Sequence, residues 1–113
     1  MYKFIRRLKL MKKTIRDPRL DFLFEAILTL QDLDECYEFF EDLCTVSELQ
    51  EMSRRLVAAK MLMNNHIYSE IAEKTGLSTA TISRVNKCLK YGNEGYIKAL
   101  ERMELREKAA RRK

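Results

Sequence analysis

The stretch SEIAEKTGLSTATISRVNKCLKYG, from Ser69 to Gly92, decides how the rest of the sequence is interpreted. A single glycine, Gly76, separates two segments with helical spacing, and Ser78 stands where the second segment begins. Glycine is common just past a helix C-terminus, and serine is a preferred N-cap residue. Two short helices joined by three or four residues that include a glycine form a helix-turn-helix. The spacing therefore predicts this motif over about residues 68–91.

The apolar residues of this stretch fit the small core that such a motif needs. Ile71 and Leu77 would meet Ile82 and Val85 of the second helix, and Ala72 is small where two helices would cross closely. Each feature alone is weak, and together they favour a DNA-binding helix-turn-helix. The alternative is an ordinary helical hairpin with a glycine turn.

The opposite face of the second helix carries small residues near its start and basic residues further along. A helix turns about 100° per residue, so Ile82, Val85 and Leu89 share the inward face. Small residues let a helix N-terminus approach base edges in the major groove, while arginine can read guanine and lysine can bind phosphate. For Lys87 and Lys90, the alternative is a solvated surface that contacts no DNA. The predicted DNA-binding residues are Ser78, Thr79, Ala80, Thr81, Ser83, Arg84, Lys87 and Lys90.

Composition favours one all-α domain. The chain has 113 residues, with only three glycines and one proline, and its charge is unevenly distributed. Residues 1–16 carry seven Lys/Arg and no acid, residues 17–67 have a net charge of −7, and residues 68–113 have a net charge of +5. Basic ends suggest a polyanionic partner, with the acidic middle facing away from it. Solvated basic tails are the alternative for each end.

Three segments are expected: a basic N-terminal arm over residues 1–16, a single helical domain over residues 17–108, and a basic tail over residues 109–113. Asp17-Pro18 reads as an N-cap followed by the first helical residue. The helix that follows, to about Gln31, is apolar nearly all round. We therefore expect a second subunit to cover part of it, with central burial in a monomer as the alternative.

Three further helices are predicted, two before the motif in the sequence and one after it. One spans about Leu33 to Leu43, a second about Val46 to Asn64 with Thr45 and Glu48 at capping-box spacing, and a third about Asn93 to Lys108. Their predicted inward residues are Cys36, Tyr37, Phe39, Phe40 and Leu43 in the first, Leu49, Met52, Leu56, Ala59 and Met63 in the second, and Tyr96, Ile97, Leu100, Met103 and Leu105 in the third.

Several classes of protein are disfavoured. The three cysteines form no CxxC pair, which predicts reduced, buried thiols in a cytoplasmic protein. His66 is the only histidine and has no ligand-spaced companion, so neither a metal nor a cofactor is predicted. Paired carboxylates, a nucleophile–histidine pair and a glycine-rich phosphate loop are not recognisable, which argues against an enzyme. No apolar run is long enough to span a membrane.

Two stretches carry a resemblance to a known family. LFEAILTLQDLDECYEFFEDLCTVSELQEMSRRLVAAKML and EIAEKTGLSTATISRVNKCLKYGNEGY cover most of Leu23 to Tyr96. They resemble the Trp-repressor-like superfamily, in particular its YerC/YecD group. The resemblance implies an intertwined all-helical homodimer with six helices per chain that binds operator DNA.

The same resemblance raises the question of a ligand. In the Trp repressor two arginines help to hold the corepressor tryptophan, and Arg54 and Arg84 stand at the matching places. The repressor has a glycine directly after the second arginine, where this chain has Val85, and Cys88 replaces a serine of the repressor. Val85 would intrude on the ligand pocket, which argues against tryptophan and leaves Arg54 as a structural or phosphate-contacting residue.

The sequence therefore predicts a sequence-specific DNA-binding transcription regulator, a repressor, that acts as a homodimer on double-stranded DNA. Its two recognition helices would lie about one DNA turn, ~34 Å, apart. The alternative is a helical module that holds an acidic protein or RNA without reading a DNA sequence. The operator and any small-molecule effector are not specified by the sequence.

Overall fold

The computed structural model describes residues 15–112, which form six helices and no strand. The prediction of an all-α chain is confirmed for this part. The predicted basic arm, residues 1–16, lies almost entirely outside the described residues. The helices are α1 (Pro18–Ile27), α2 (Leu33–Leu43), α3 (Val46–Met63), α4 (Tyr68–Thr75), α5 (Thr79–Tyr91) and α6 (Gly95–Arg111).

The described residues divide into two compact units, the first ending at Glu51 and the second beginning at Met52. The first contains α1, α2 and the beginning of α3, and the second contains the rest of α3 with α4, α5 and α6. The prediction of one domain over residues 17–108 stays a prediction.

Helix α1 begins as predicted and ends earlier than predicted. The Asp17 carboxylate accepts hydrogen bonds from the backbone amides of Arg19 (2.8 Å) and Leu20 (2.9 Å). The helix ends at Ile27 rather than near Gln31. Gln31 instead donates its amide to the Glu35 carboxylate of α2 (3.2 Å), so it belongs to the start of the next helix.

The first unit has no buried residue on α1 or α2. Phe22 is 76% exposed and Leu28 is 83% exposed. Tyr37 and Leu43 were predicted to face inward, and both are exposed in the single chain. That prediction is wrong for the isolated chain because the described part of this unit is too small to enclose them.

Helix α3 has a defined residue pattern at each end. The Glu48 carboxylate accepts from the Thr45 amide (2.8 Å) and the Glu48 amide donates to the Thr45 hydroxyl (3.1 Å), which confirms the predicted capping box. At the other end Asn65 has a φ of 66°, its amide donates to Leu62 O, and the His66 amide donates to Met61 O. This bonding is a Schellman motif, and it ends the helix at the predicted place.

The core of the second unit lies beneath the helix-turn-helix. Ile71 and Ile82 are fully buried, and Val85 is 2% exposed. Ala58 of α3, which the sequence analysis did not select, is also fully buried and belongs to the same cluster as Leu77. A small residue at position 58 lets α3 approach the motif closely, so α3 packs against the apolar side of the motif. Met52 and Met63, predicted to lie on the inward stripe of α3, are partly exposed.

Helix α6 differs from its predicted bounds at both ends. It begins at Gly95 rather than Asn93, because Glu94 has a φ of 66°, which no α-helical residue adopts. It continues to Arg111, so part of the predicted C-terminal tail is helical. Salt bridges from Lys108 to Glu104 (3.5 Å) and from Arg111 to Glu107 (2.9 Å) stabilise this last part.

The three cysteines are free, and their surroundings differ from the prediction. Cys36 and Cys44 are half-buried, and Cys88 is exposed. The predicted burial is wrong for Cys88 because this residue lies beside the inward face of α5 rather than on it. Within residues 15–112, no helix is both long and apolar enough to cross a bilayer.

Candidate nucleic-acid interface

The turn between α4 and α5 is fixed by short local hydrogen bonds. Gly76 has a left-handed φ of 76° and its amide donates to Ala72 O (2.8 Å), which confirms its predicted place just past the end of α4. The Thr75 hydroxyl donates to Ile71 O (2.7 Å) and accepts from the Leu77 amide (3.2 Å). These bonds hold the backbone where it changes direction, so the start of α5 has a defined position relative to α4.

Ser78 caps α5 and is already engaged within the chain. Its hydroxyl accepts from the Thr81 amide (3.2 Å) and donates to the Thr81 hydroxyl (3.0 Å). Ser78 therefore fixes the start of α5 through bonds within the chain.

The first turn of α5 presents unpaired backbone donors. The first helical bond runs from the Ile82 amide to Ser78 O (3.0 Å), and the Thr81 amide is taken by the Ser78 side chain. Among the described residues, no acceptor pairs with the amides of Thr79 and Ala80. A helix N-terminus with free amides favours an anion such as a phosphate.

The predicted contact residues of α5 are exposed or half-buried. Thr79, Ala80, Arg84, Lys87 and Lys90 are exposed, and Thr81 and Ser83 are half-buried. Helix α5 contains no acidic residue, and neither Arg84 nor Lys87 forms an ion pair within residues 15–112. This surface therefore combines small side chains, hydroxyl groups and positive charge.

Asn86 is a residue of the motif that sequence reasoning missed. Its side-chain amide donates a hydrogen bond to the Tyr68 hydroxyl (3.1 Å), which joins α5 to α4. An asparagine between Val85 and Lys87 gives no sequence signal for this contact, because the partner lies 18 residues away.

Arg54 and Arg55 have different environments that the sequence does not distinguish. Arg54 is exposed, whereas Arg55 is half-buried, and its Nε atom is buried without a hydrogen-bond partner among the described residues. The residue of this pair that is directed into the protein is thus Arg55.

A groove of the second unit is not lined by the arginines considered for a ligand. It has a volume of about 530 Å³ between the end of α3 and α6, and residues such as Met63, Leu100 and Met103 line it. Arg54, Arg84 and Val85 do not line it. Over residues 15–112, no three His, Cys, Asp or Glu side chains are grouped so that they could hold a metal ion.

The chain matches the family model described as Trp repressor protein over residues 18–104. The chain belongs to the Trp repressor family. It is 52% identical over 90 residues to the Bacillus subtilis (strain 168) protein YerC, which is described as uncharacterized, and the match covers 80% of this chain and 86% of YerC.

Two solved structures have the same fold. A TrpR-like protein from Eubacterium eligens ATCC 27750 is 53% identical with a TM-score of 0.77, and the match covers 80% of this chain and 93% of that one. A candidate Trp repressor from Staphylococcus aureus is 49% identical with a TM-score of 0.77, with coverage of 84% and 93%. These similarities confirm the Trp-repressor-like all-α fold and the resemblance to the YerC group.

Proposed function

We propose that this protein is a sequence-specific DNA-binding transcription regulator that acts as a homodimer and represses its target genes. The surface of α5 is the observation that carries the proposal. Ile82 and Val85 anchor this helix in the core, while Ala80, Arg84 and Lys87 are exposed on the other side. Membership of the Trp repressor family supports a regulator of transcription.

The first turns of α5 are suited to reading bases. Thr79 and Ala80 are short enough for the helix to approach the floor of the major groove. The methyl groups of Ala80 and Thr81 can contact a thymine methyl, and a threonine hydroxyl can bond a base edge. Arg84 is exposed and can make a bidentate contact with guanine O6 and N7.

Phosphate contacts supply the rest of the interface. Lys87 and Lys90 extend from the later turns of α5, and the free amides of Thr79 and Ala80 suit a phosphate at its start. Ser83 lies beside Arg84, and its hydroxyl can donate a hydrogen bond to a phosphate oxygen of the DNA backbone. Arg54, exposed on α3, is a further phosphate contact in this proposal.

A second copy of the chain is proposed to cover the apolar surface of the first unit. Phe22, Phe24 and Leu28 of α1 are exposed, as are Leu33 and Tyr37 of α2. An exposed apolar surface of this kind marks an association site. A two-fold dimer would present two recognition helices about one DNA turn apart, so the operator would be a palindrome.

Tryptophan is not the proposed effector. Val85 is 2% exposed and follows Arg84 directly, at the place where the Trp repressor has a glycine. Localisation in the cytoplasm, with the nucleoid DNA, follows from the proposed activity.

Selection of bound sequences from a random duplex pool at near-physiological salt tests this function. We expect a palindrome with half-sites about one turn apart. On the selected site Arg84→Ala should weaken binding by roughly 1–3 kcal/mol and relax one base position, whereas Lys87→Ala should weaken selected and random DNA equally.

Two results would contradict the proposal. Retention of DNA without an enriched sequence would leave a nonspecific binder. Absence of retained DNA, with binding to an acidic protein or RNA instead, would favour the helical interaction module.

A further inference from the structure

Helix α6 carries a row of cations on the side that faces away from the protein. Lys98, Arg102 and Arg106 recur at every fourth residue, so they lie one above another, about 6 Å apart along the helix axis. All three are exposed. We call these three residues the cation row.

The packing of α6 shows which side this row occupies. Leu100 and Met103 line the groove toward α3, together with Glu104 and Glu107. Tyr96, Ile97 and Leu100 are the half-buried residues of the helix. Because successive residues turn by about 100°, Arg102 lies nearly opposite Leu100. The cation row is therefore directed into solvent.

No salt bridge of the described chain involves the row, and only Lys98 has acidic residues at helical neighbour spacing, Glu94 and Glu101. The salt bridges of α6 join Lys108 to Glu104 and Arg111 to Glu107, which are outside the row. No member of the row forms an ion pair with any residue from 15 to 112. Arg102 and Arg106 have no acidic residue three or four positions away. Like charges at this spacing destabilise a helix, and a bound polyanion would remove that cost.

The position of α6 along the chain favours DNA as the polyanion. Only Gly92, Asn93 and Glu94 separate α5 from α6, and three residues span at most about 10 Å. The start of α6 is thus held close to the end of α5, where Lys87 and Lys90 are exposed.

We propose that the cation row of α6 is a second DNA-binding surface, which contacts phosphates of the same duplex without reading its sequence. This inference rests on the DNA binding proposed for α5, and it adds a contact outside the helix-turn-helix. The row supplies affinity and salt dependence, while base discrimination stays with α5.

The test compares two full-length variants with the same loss of charge. The row variant is Lys98→Gln, Arg102→Gln and Arg106→Gln. The control variant is Lys60→Gln, Lys108→Gln and Arg111→Gln, which removes three charges around the groove. Affinity for the selected duplex, and for a random-sequence duplex of about 30 base pairs, is measured from 50 to 300 mM salt. Circular dichroism verifies that both variants keep their helices.

Affinity falls as salt rises, so the slope of log affinity against log salt is negative. We expect its magnitude to be smaller for the row variant by about 0.9 for each phosphate that is no longer neutralised, up to roughly 3 per chain. The reduction should be equal on both duplexes, and the selected sequence should remain preferred by the same ratio. The control variant should keep the wild-type slope.

Equal slopes for the row and control variants would overturn the inference. A sequence preference that depends on Arg84 would be unaffected by that result, so the proposed function of α5 would stand. If no sequence is enriched and the row variant still lowers the magnitude of the slope, the row binds DNA and the proposed sequence-specific function fails. Wild-type and row proteins are also mixed with phosphatidylserine vesicles. Loss of vesicle binding by the row variant, with an unchanged DNA slope, would overturn the inference in favour of a membrane surface.

Discussion

The side-chain amide of Asn86 donates a hydrogen bond to the Tyr68 hydroxyl at 3.1 Å. This bond joins α5 to α4, and both side chains are half-buried. Apolar contacts of Ile71 and Ile82 hold the same two helices together, but such contacts have little directionality. The hydrogen bond therefore contributes to the defined orientation of α5 as well as to its stability.

The contribution of this bond can be measured with Asn86→Ala, Tyr68→Phe and the double variant. Each single change should lower the free energy of unfolding by about 1 kcal/mol, with a coupling of similar size because both groups serve one bond. Urea unfolding provides the values, and Asn93→Ala, at an exposed position, is the control. Additive effects of the two changes would show that the bond contributes nothing.

Gly76→Ala should destabilise the motif through its backbone alone. A Cβ atom at position 76 would meet no atom within 4 Å, but the φ of 76° is left-handed. A non-glycine residue in that region costs about 1–2 kcal/mol. Gly95→Ala is the matched control, since its Cβ also meets nothing and α6 begins there with ordinary φ. Thermal or urea unfolding that ranks Gly95→Ala as the more damaging change would contradict this explanation.

The sequence predicts the helix-turn-helix well because its signals are local. Gly76 and Ser78 mark the turn chemically, and the spacing of Ile82 and Val85 identifies the inward face, so both helices were placed to within about a residue. The end of α1 was predicted too late because the apolar run was followed past a local signal. Asp32 is the N-cap of α2 and accepts from the Glu35 amide three residues on, and the Glu35 carboxylate accepts from the Gln31 amide.

Features that depend on distant parts of the chain were missed. Asn86 and Tyr68 are 18 residues apart, and no local pattern connects them. Arg54 and Arg55 differ only in which way each points when α3 packs on the second unit's core. The exposure of Tyr37 and Leu43 depends on what surrounds α2. The spacing of apolar residues in α2 indicates only that one face of the helix is apolar.

The capping box of α3 should make stability depend on pH. The hydrogen bond from the Thr45 amide, assisted by the Thr45 hydroxyl, lowers the pKa of Glu48 below its usual 4.5. A pKa lowered in the folded state means that the ionised carboxylate stabilises the fold above the unfolded-state pKa. This contribution is lost as the pH falls through the lower folded-state value.

Unfolding free energies of the wild type and Glu48→Gln, measured between pH 7 and pH 3, test this effect. The difference between the two proteins should be largest near neutral pH and should shrink below pH 4.5. A difference that stays constant over the whole range would exclude the Glu48 carboxylate as its source.

The proposed dimer predicts a large effect of a charge at an exposed position. Leu28 is 83% exposed, so Leu28→Lys should change the stability of an isolated chain by less than about 0.5 kcal/mol. In a dimer that covers Leu28, the same change buries an unpaired charge and should shift the protein to monomer in sedimentation equilibrium. Leu105→Lys, at a 65% exposed position of α6, is the control. Equal sedimentation of both variants and the wild type would remove Leu28 from the interface.

The division of α5 into an anchored side and an open side has an evolutionary consequence. Ile82 and Val85 fix the helix, whereas Ala80, Arg84 and Lys87 are exposed, so changes at these three positions should cost little folding stability. A duplicated copy of this protein could therefore acquire a different binding preference through a few substitutions at these three positions, while the framework beneath stays the same.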